Sequence, residues 1–159
     1  MRARVLMLGT AAAMTLAAAC SSPSRTRALP PDEARQLLID RNWVDRLPEK
    51  IDDKLHVFRF VPKMGGGVYQ DRTIFAGTFE LFMFEHDGDT IRFNLLHTGD
   101  KKRSGYRIEE LATPGPEGVD LKLLLTDSPR GPSVYYGWRH QPGNLDGQLT
   151  RLYEAVRRN

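Results

Sequence analysis

The sequence predicts a mainly β protein: an eight-stranded up-and-down antiparallel barrel or strongly curled sheet, with a short N-terminal helix and a C-terminal amphipathic helix. Three observations support this prediction. Between residues 42 and 139, apolar side chains recur with a period of two, which is typical of strands with one buried face. Glycine, proline and aspartate turn signals interrupt this region at short intervals, which favours sequential hairpins. On both sides of the region the apolar period becomes that of a helix.

The predicted strands are short and are joined mostly by short connections. The clearest alternation places Ile91, Phe93 and Leu95 on one face and Arg92 and Asn94 on the other. We therefore expect the three apolar residues to point into an antiparallel sheet. The strands are predicted over residues 42–47, 55–62, 68–76, 78–86, 90–97, 105–111, 119–126 and 133–139.

The connections and helices follow from local signals. The glycines at 65–67 predict a turn, because three glycines neither hold a helix nor pack a strand. Residues 87–88, Asp-Gly, are the strongest hairpin turn in the chain, and the segment 78–86 before them is apolar on both faces. Helical spacing of apolar residues predicts the N-terminal helix over residues 32–40 and the C-terminal helix around residues 149–156.

The first twenty residues have the character of an export signal. Arg2 and Arg4 precede an uncharged, mostly apolar run from Val5 to Ala19, which is too short for a transmembrane helix and typical of a secretory signal peptide. Cys20 follows the small residues Ala17–Ala19, and this arrangement resembles a bacterial lipoprotein signal. The resemblance implies that Cys20 is acylated, with palmitate as a typical chain, and becomes the mature N-terminus. An ordinary cleaved signal peptide is the alternative.

This interpretation divides the chain into three parts. Residues 1–19 are the predicted lipoprotein signal peptide, residues 20–31 a lipidated cysteine and flexible tether, and residues 32–159 the barrel domain. Ser21, where aspartate would retain some lipoproteins at the inner membrane, resembles the pattern for the outer membrane. We therefore expect an exported protein anchored by lipid to the cell envelope, more at the outer than the inner membrane.

The composition excludes several classes of function. The formal net charge of +3 falls to +1 when Arg2 and Arg4 leave with the signal, so the mature chain gives no reason to expect nucleic-acid binding. Cys20 is the only cysteine, and acylation would leave no thiol for a disulfide, a nucleophile or a metal ligand. The chain has no Gly-x-Ser-x-Gly elbow, P-loop or His-Glu-x-x-His motif. We predict neither an enzyme nor a cofactor.

A few polar residues leave their roles open. His86 and His97 flank one predicted hairpin, but their spacing is not that of a metal site, and we expect them to be solvated. Asp71 and Arg72 are adjacent, so they point to opposite faces of a strand and one of them faces inward. Such a buried charge requires a partner, and Glu80 is one candidate. A pair on the outer face is the simpler interpretation.

The predicted architecture resembles that of the lipocalins and related calycins. Lipocalins carry Gly-x-Trp on the first strand, and an arginine from the end of the barrel stacks on that tryptophan. Trp43 and Arg139 occupy the matching positions, whereas the position of the glycine is Arg41. The resemblance covers about residues 32–157 and implies that Trp43 and Arg139 close one end of the barrel through a cation–π contact.

Aromatic and aliphatic residues on several strands supply what a ligand cavity needs, and equally what a filled core needs, since an eight-stranded barrel is only just wide enough for either. Because so many of these residues are bulky, we expect a packed or nearly packed interior. The residues that would line any cavity are Phe58, Phe60, Phe79, Leu81, Ile91, Phe93, Tyr106 and Tyr136.

These observations predict a non-enzymatic envelope lipoprotein that binds a small apolar ligand or lipid. The alternative is a structural or interaction lipoprotein whose barrel is filled and whose surface contacts another envelope protein. A ligand-sized apolar cavity favours the first hypothesis, and a filled core with an exposed apolar patch favours the second.

Overall fold

The computed structural model describes residues 26–140 and Glu154. Cys20 and nearly all of the predicted C-terminal helix lie outside the described residues, although Glu154 itself is helical. The described chain forms a closed eight-stranded antiparallel barrel with one extra strand and one helix. The predicted fold class is thus confirmed.

The described elements begin and end as follows: β1 Thr26–Ala28, α1 Pro31–Leu38, β2 Asn42–Val44, β3 Leu55–Val61, β4 Gly66–Arg72, β5 Gly77–Asp87, β6 Thr90–Leu95, β7 Lys101–Leu111, β8 Leu121–Leu125 and β9 Val134–Gly137. Short 3-10 turns at Pro62–Met64 and Pro116–Gly118 lie in the connections β3–β4 and β7–β8.

Strands β2 to β9 pair in sequence order, each antiparallel to the next. The barrel closes where Val44 of β2 pairs with Tyr136 of β9. On β6, Ile91, Phe93 and Leu95 are buried and Arg92 is exposed. The inward orientation predicted for this strand is therefore confirmed.

Two features of the N-terminal part were only partly predicted. Thr26–Ala28 pairs with residues 109–111 of β7, so the ordered fold begins inside the predicted tether of residues 20–31. Helix α1 follows, and Ala34, Leu37 and Leu38 bury its apolar face against one end of the barrel, as helical spacing predicted. Among the described residues, no helix combines the length and apolar character needed to cross a membrane.

The prediction of a turn at residues 65–67 was wrong for two of its three glycines. Only Gly65 is in the turn, with a left-handed φ of 74° that favours glycine. Gly66 and Gly67 begin β4, where a Cβ on Gly67 would clash with the ring of Phe82 on β5. These glycines lie in a strand because a large neighbouring side chain takes the space that theirs would need.

Aromatic rings fill the middle of the barrel. Phe58 contacts Phe60, Tyr69, Phe82, and Tyr135 at centroid distances of 4.9–5.8 Å. Offset and edge-to-face contacts of this kind stabilise a packed core beyond the area that they bury. The interior is therefore packed, as the bulk of the predicted lining residues led us to expect.

Candidate functional site

Five of the eight residues predicted to line a cavity do point into the barrel. They are buried in one continuous cluster, in which their side chains contact each other and the end of α1. In this position they form the packed core. The five residues are Phe58, Phe60, Ile91, Phe93 and Tyr106.

The other three predicted lining residues do not face the interior. Phe79 is 69% exposed and Leu81 is 47% exposed on the outer side of β5. The register explains this error, because the pairing of Phe84 with Phe93 puts the even-numbered residues of β5 inside. Tyr136 is half-buried in a separate cluster with Val44. We call Phe79, Leu81 and Met83 the β5 outer face.

The barrel wall has a gap beside β7. This strand pairs with β6 as far as Gly105 and with β1 from Glu109 onward, and the backbone of residues 106–108 lies between these two partners. The Tyr106 N–H donates to the carbonyl of Asp89 in the β5–β6 turn, and Ile108 accepts from Leu29. Along this edge, β7 is therefore bordered by two short strands, β6 and β1, and not by one long strand.

A cleft of about 460 Å³ lies at this gap. Its described walls are mostly apolar and come from the β1–α1 connection, from β7 and from β8, while the β5–β6 turn forms one side. The lining residues include Ala28, Leu29, Ala34, Tyr106, Ile108 and Leu125.

Tyr106 is the unusual residue of this cleft. Its side chain is only 6% exposed, and its hydroxyl is buried with no hydrogen-bond partner in the described structure. Burial raises the pKa of this hydroxyl, and the positive charge of Arg35 on α1 acts in the opposite direction. A buried unpaired hydroxyl is costly, so a donor in this position is suited to an acceptor that comes from outside the chain.

The end of the barrel next to α1 is closed around Trp43. Its ring is fully buried, and its Nε1 donates to the Leu38 carbonyl at the end of α1 over 3.0 Å. Gly137 lies flat against the ring, where a Cβ would come within 2.9 Å of it. Arg41, at the position of the lipocalin glycine, donates to the Trp138 carbonyl over 2.6 Å. Arg41 thereby ties the start of β2 to the end of β9.

Arg139 lies at this same end of the barrel. Its guanidinium is held by Glu33 of α1 at 2.7 Å and by Glu110 of β7 at 3.0 Å. Both carboxylates raise the pKa of Arg139. The residue therefore fastens α1 to the barrel, whereas its stacking on the ring of Trp43 stays a prediction.

The far end of the barrel is closed by the β8–β9 loop. Arg130 in this loop donates to the Glu80 carboxylate over 2.9 Å, and its carbonyl accepts from the Tyr135 hydroxyl. The Tyr69 hydroxyl lies 2.6 Å from Nδ1 of His56. Burial raises the pKa of Tyr69 to about 12. This arrangement holds a loop in place, and Glu80 binds Arg130 within it.

The remaining polar candidates are separated from one another. His86 is half-buried next to Phe84, and His97 is exposed in the β6–β7 turn. Arg72 donates to the carbonyls of Thr73 and Ile74 in the β4–β5 turn. Within residues 26–140, no three His, Cys, Asp or Glu side chains come together in a way that could hold a metal ion.

In comparisons with protein-family models, with curated proteins and with solved structures, no match to this chain is found. The architecture is nevertheless compatible with a calycin-like barrel.

Proposed function

We propose that this chain is a lipid-anchored envelope protein of lipocalin-like architecture that binds a small, mostly apolar molecule in the cleft beside Tyr106. The observation that carries the proposal is that Tyr106 lines this cleft while its hydroxyl is buried without a partner among the described residues. Ligand sites are concave, largely apolar and equipped with a few polar groups that orient the ligand. The cleft has each of these properties.

The size of the cleft limits the ligand. A volume of about 460 Å³ lies within the range of small-molecule sites. The aromatic contacts of the core fill the barrel axis, so the ligand would enter from the side, between the β5–β6 turn and α1. Leu29, Ala34 and Ile108 would contact its apolar part.

The polar groups indicate the chemistry of the other end of the ligand. A protonated phenol donates one hydrogen bond, which a carbonyl or carboxylate oxygen would accept. Arg35 is exposed on α1, close enough for its charge to act on Tyr106. An amphiphile with an acyl chain and a carboxylate or ester head therefore suits the cleft best. Such molecules are abundant in a membrane, where the predicted acylation of Cys20 would hold the protein.

A Tyr106→Phe variant tests the proposal, because it removes only the hydroxyl. The affinity for a fluorescent polyene fatty acid, followed by its emission, should fall about fivefold through loss of one hydrogen bond. The free energy of unfolding without the probe should stay equal or rise, since an unpaired buried polar group has been removed. A structural role for the hydroxyl would instead lower that free energy.

Two further variants locate the site. Ala28→Phe adds bulk at the exposed rim of the cleft and should weaken the binding of the same probe. Tyr136→Phe, in the separate outer cluster, should bind the probe as the unaltered chain does. Equal affinity in Tyr106→Phe and the unaltered chain would show that the cleft is not the binding site.

The alternative function, surface contact with another component of the envelope, also has an observation in its favour. The β5 outer face presents Phe79, Leu81 and Met83 to solvent, all at least 43% exposed. Clustered apolar side chains on a surface often mark an interaction site.

A further inference from the structure

The β5 outer face continues beyond β5 itself. Leu96, 54% exposed, lies next to Leu81 and donates its backbone N–H to the Leu81 carbonyl. Met64, 73% exposed, precedes Gly65, where a Cβ would lie 3.6 Å from the end of the Met83 side chain. Five large apolar side chains therefore form one exposed area.

Basic residues border this area on one side. The pairing of Met83 with Asn94, and of Asn94 with Lys101, puts Lys101 on the same outer side of the sheet as Met83. Arg103 follows two residues later and also faces outward. Together with Lys102, these residues line a broad groove of about 680 Å³ that reaches Met83.

The acidic residues of this surface do not balance the basic ones. Glu85 and Asp87 lie 3.7 and 3.9 Å from the guanidinium of Arg92, which opposes one of their two negative charges. Lys101 and Arg103 add two exposed positive charges on the same outer side, so the cations there outnumber the carboxylates by one. A surface with apolar side chains in the middle and cations at the border matches acyl chains and anionic head groups of a bilayer.

The chain that precedes the described residues brings such a bilayer within reach. Six residues lead from Cys20 to Thr26, and extended they span about 20 Å. Thr26 pairs with Leu111, and the eight residues from Leu111 back to Arg103 span about 27 Å along β7. An acylated Cys20 would therefore lie in the same membrane plane as the basic groove whenever β7 is inclined by less than about 45° to that plane.

We propose that the β5 outer face, with Leu96, Met64 and the basic border of Lys101 and Arg103, lies against the anionic bilayer to which the chain is anchored. This inference rests on the anchor in the proposed function, but not on the ligand cleft. The second contact would orient the barrel on the membrane, because one lipid chain and one basic apolar surface provide two separate attachments.

The experiment uses the full lipoprotein reconstituted in vesicles that contain brominated lipids, which quench tryptophan on contact. A Leu81→Trp variant should lose about half of the added fluorescence in phosphatidylglycerol vesicles and much less in phosphatidylcholine vesicles. Ile51→Trp is the matched control, since Ile51 is 41% exposed in the β2–β3 loop. Its added fluorescence should not change. The native Trp43 and Trp138 are buried and give a constant background.

Charge reversal distinguishes the contribution of the basic border to membrane contact from that of the apolar area. Lys101→Glu with Arg103→Glu should abolish the quenching of the Leu81→Trp probe, whereas Lys54→Glu, exposed in the β2–β3 loop, should leave it intact. About 0.5 M NaCl should also reduce the quenching, because it screens charges beyond a few ångströms. Unchanged thermal unfolding of each variant establishes that its fold is intact.

The outcomes are distinct. Quenching that is absent, or equal in the two kinds of vesicle, would overturn the proposal. Shielding of the Leu81→Trp probe that grows with protein concentration would assign the face to a second copy of the chain. Shielding that occurs only when another envelope protein is present would assign the face to that protein. Either result would overturn the proposal. The anchor is tested separately by the carbonate-resistant membrane retention of the unaltered chain and its loss in Cys20→Ser. Unanchored protein that still sediments with anionic vesicles would support the surface without the anchor.

Discussion

The two faces of β5 have nearly the same apolar character in sequence and opposite positions in the structure. Phe82 is 1% exposed, whereas Phe79, three residues earlier, is 69% exposed. A period of two tells which residues share a face, but it identifies the buried face only when the other face is polar. On β6 the polar residues Arg92 and Asn94 make this choice, and on β5 nothing local does.

The neighbouring strands decide the orientation of β5. Phe84 pairs with Phe93, and Phe82 lies opposite Gly67, whose missing side chain leaves room for the ring. The inner face is therefore the one that fits its neighbours, and the apolar residues of the other face are exposed.

The sharpest test of this comparison is alanine substitution on each face. Phe82→Ala should lower the free energy of unfolding by about 3–5 kcal/mol, because it removes a fully buried ring that contacts several others. Phe79→Ala should change it by less than about 0.5 kcal/mol. Urea unfolding of both variants measures the two effects, and equal losses would show that the assignment of the faces is wrong.

Adding a side chain at the glycine opposite Phe82 should destabilise the fold by a smaller amount than removing the Phe82 ring. Gly67→Ala should destabilise the fold by about 1–3 kcal/mol, since the new methyl group would overlap the Phe82 ring and the Arg59 carbonyl. Gly115→Ala is the control, because its φ of −76° suits any residue and its nearest contact would be at 3.7 Å. Equal stability of both variants in thermal unfolding would mean that β4 can move away from Phe82.

Glu80, on the inner face of β5, pairs with Tyr69 of β4. The smallest expected effect concerns Tyr69 and depends on pH. The pKa of Tyr69 is raised to about 12 in the folded chain, compared with about 10 in an unfolded one. The unfolded chain therefore loses this proton first, and the free energy of unfolding should fall between about pH 10 and pH 12.

Tyr69→Phe should make this fall less steep. It should not abolish it, because burial also raises the pKa of Tyr106 and Tyr135. Denaturant unfolding at several pH values above 9 gives the slope for each chain. Identical slopes would show that Tyr69 does not contribute to the loss of stability in base.

In the candidate site, as in β5, the sequence predicts some features and leaves others to the tertiary structure. Tyr106 could be predicted as an inward-facing residue from the alternation of its strand. That its hydroxyl has no partner could not be predicted, because this depends on where β7 exchanges β6 for β1 as its neighbour. Arg130 gave no local sign of its contact with Glu80, which lies fifty positions away in the chain.

The sequence by itself determined the class of fold, the approximate positions of eight strands and α1, the Asp87-Gly88 hairpin and the buried face of β6. Each of these depends on neighbours within a few residues, where backbone preference and the spacing of apolar side chains act directly. Only the tertiary structure decided the buried face of β5, the place of Gly66 and Gly67 in a strand, the addition of β1 and the gap beside Tyr106. These depend on which strands meet and in what register, and register is set by the fit of side chains that are distant in the chain.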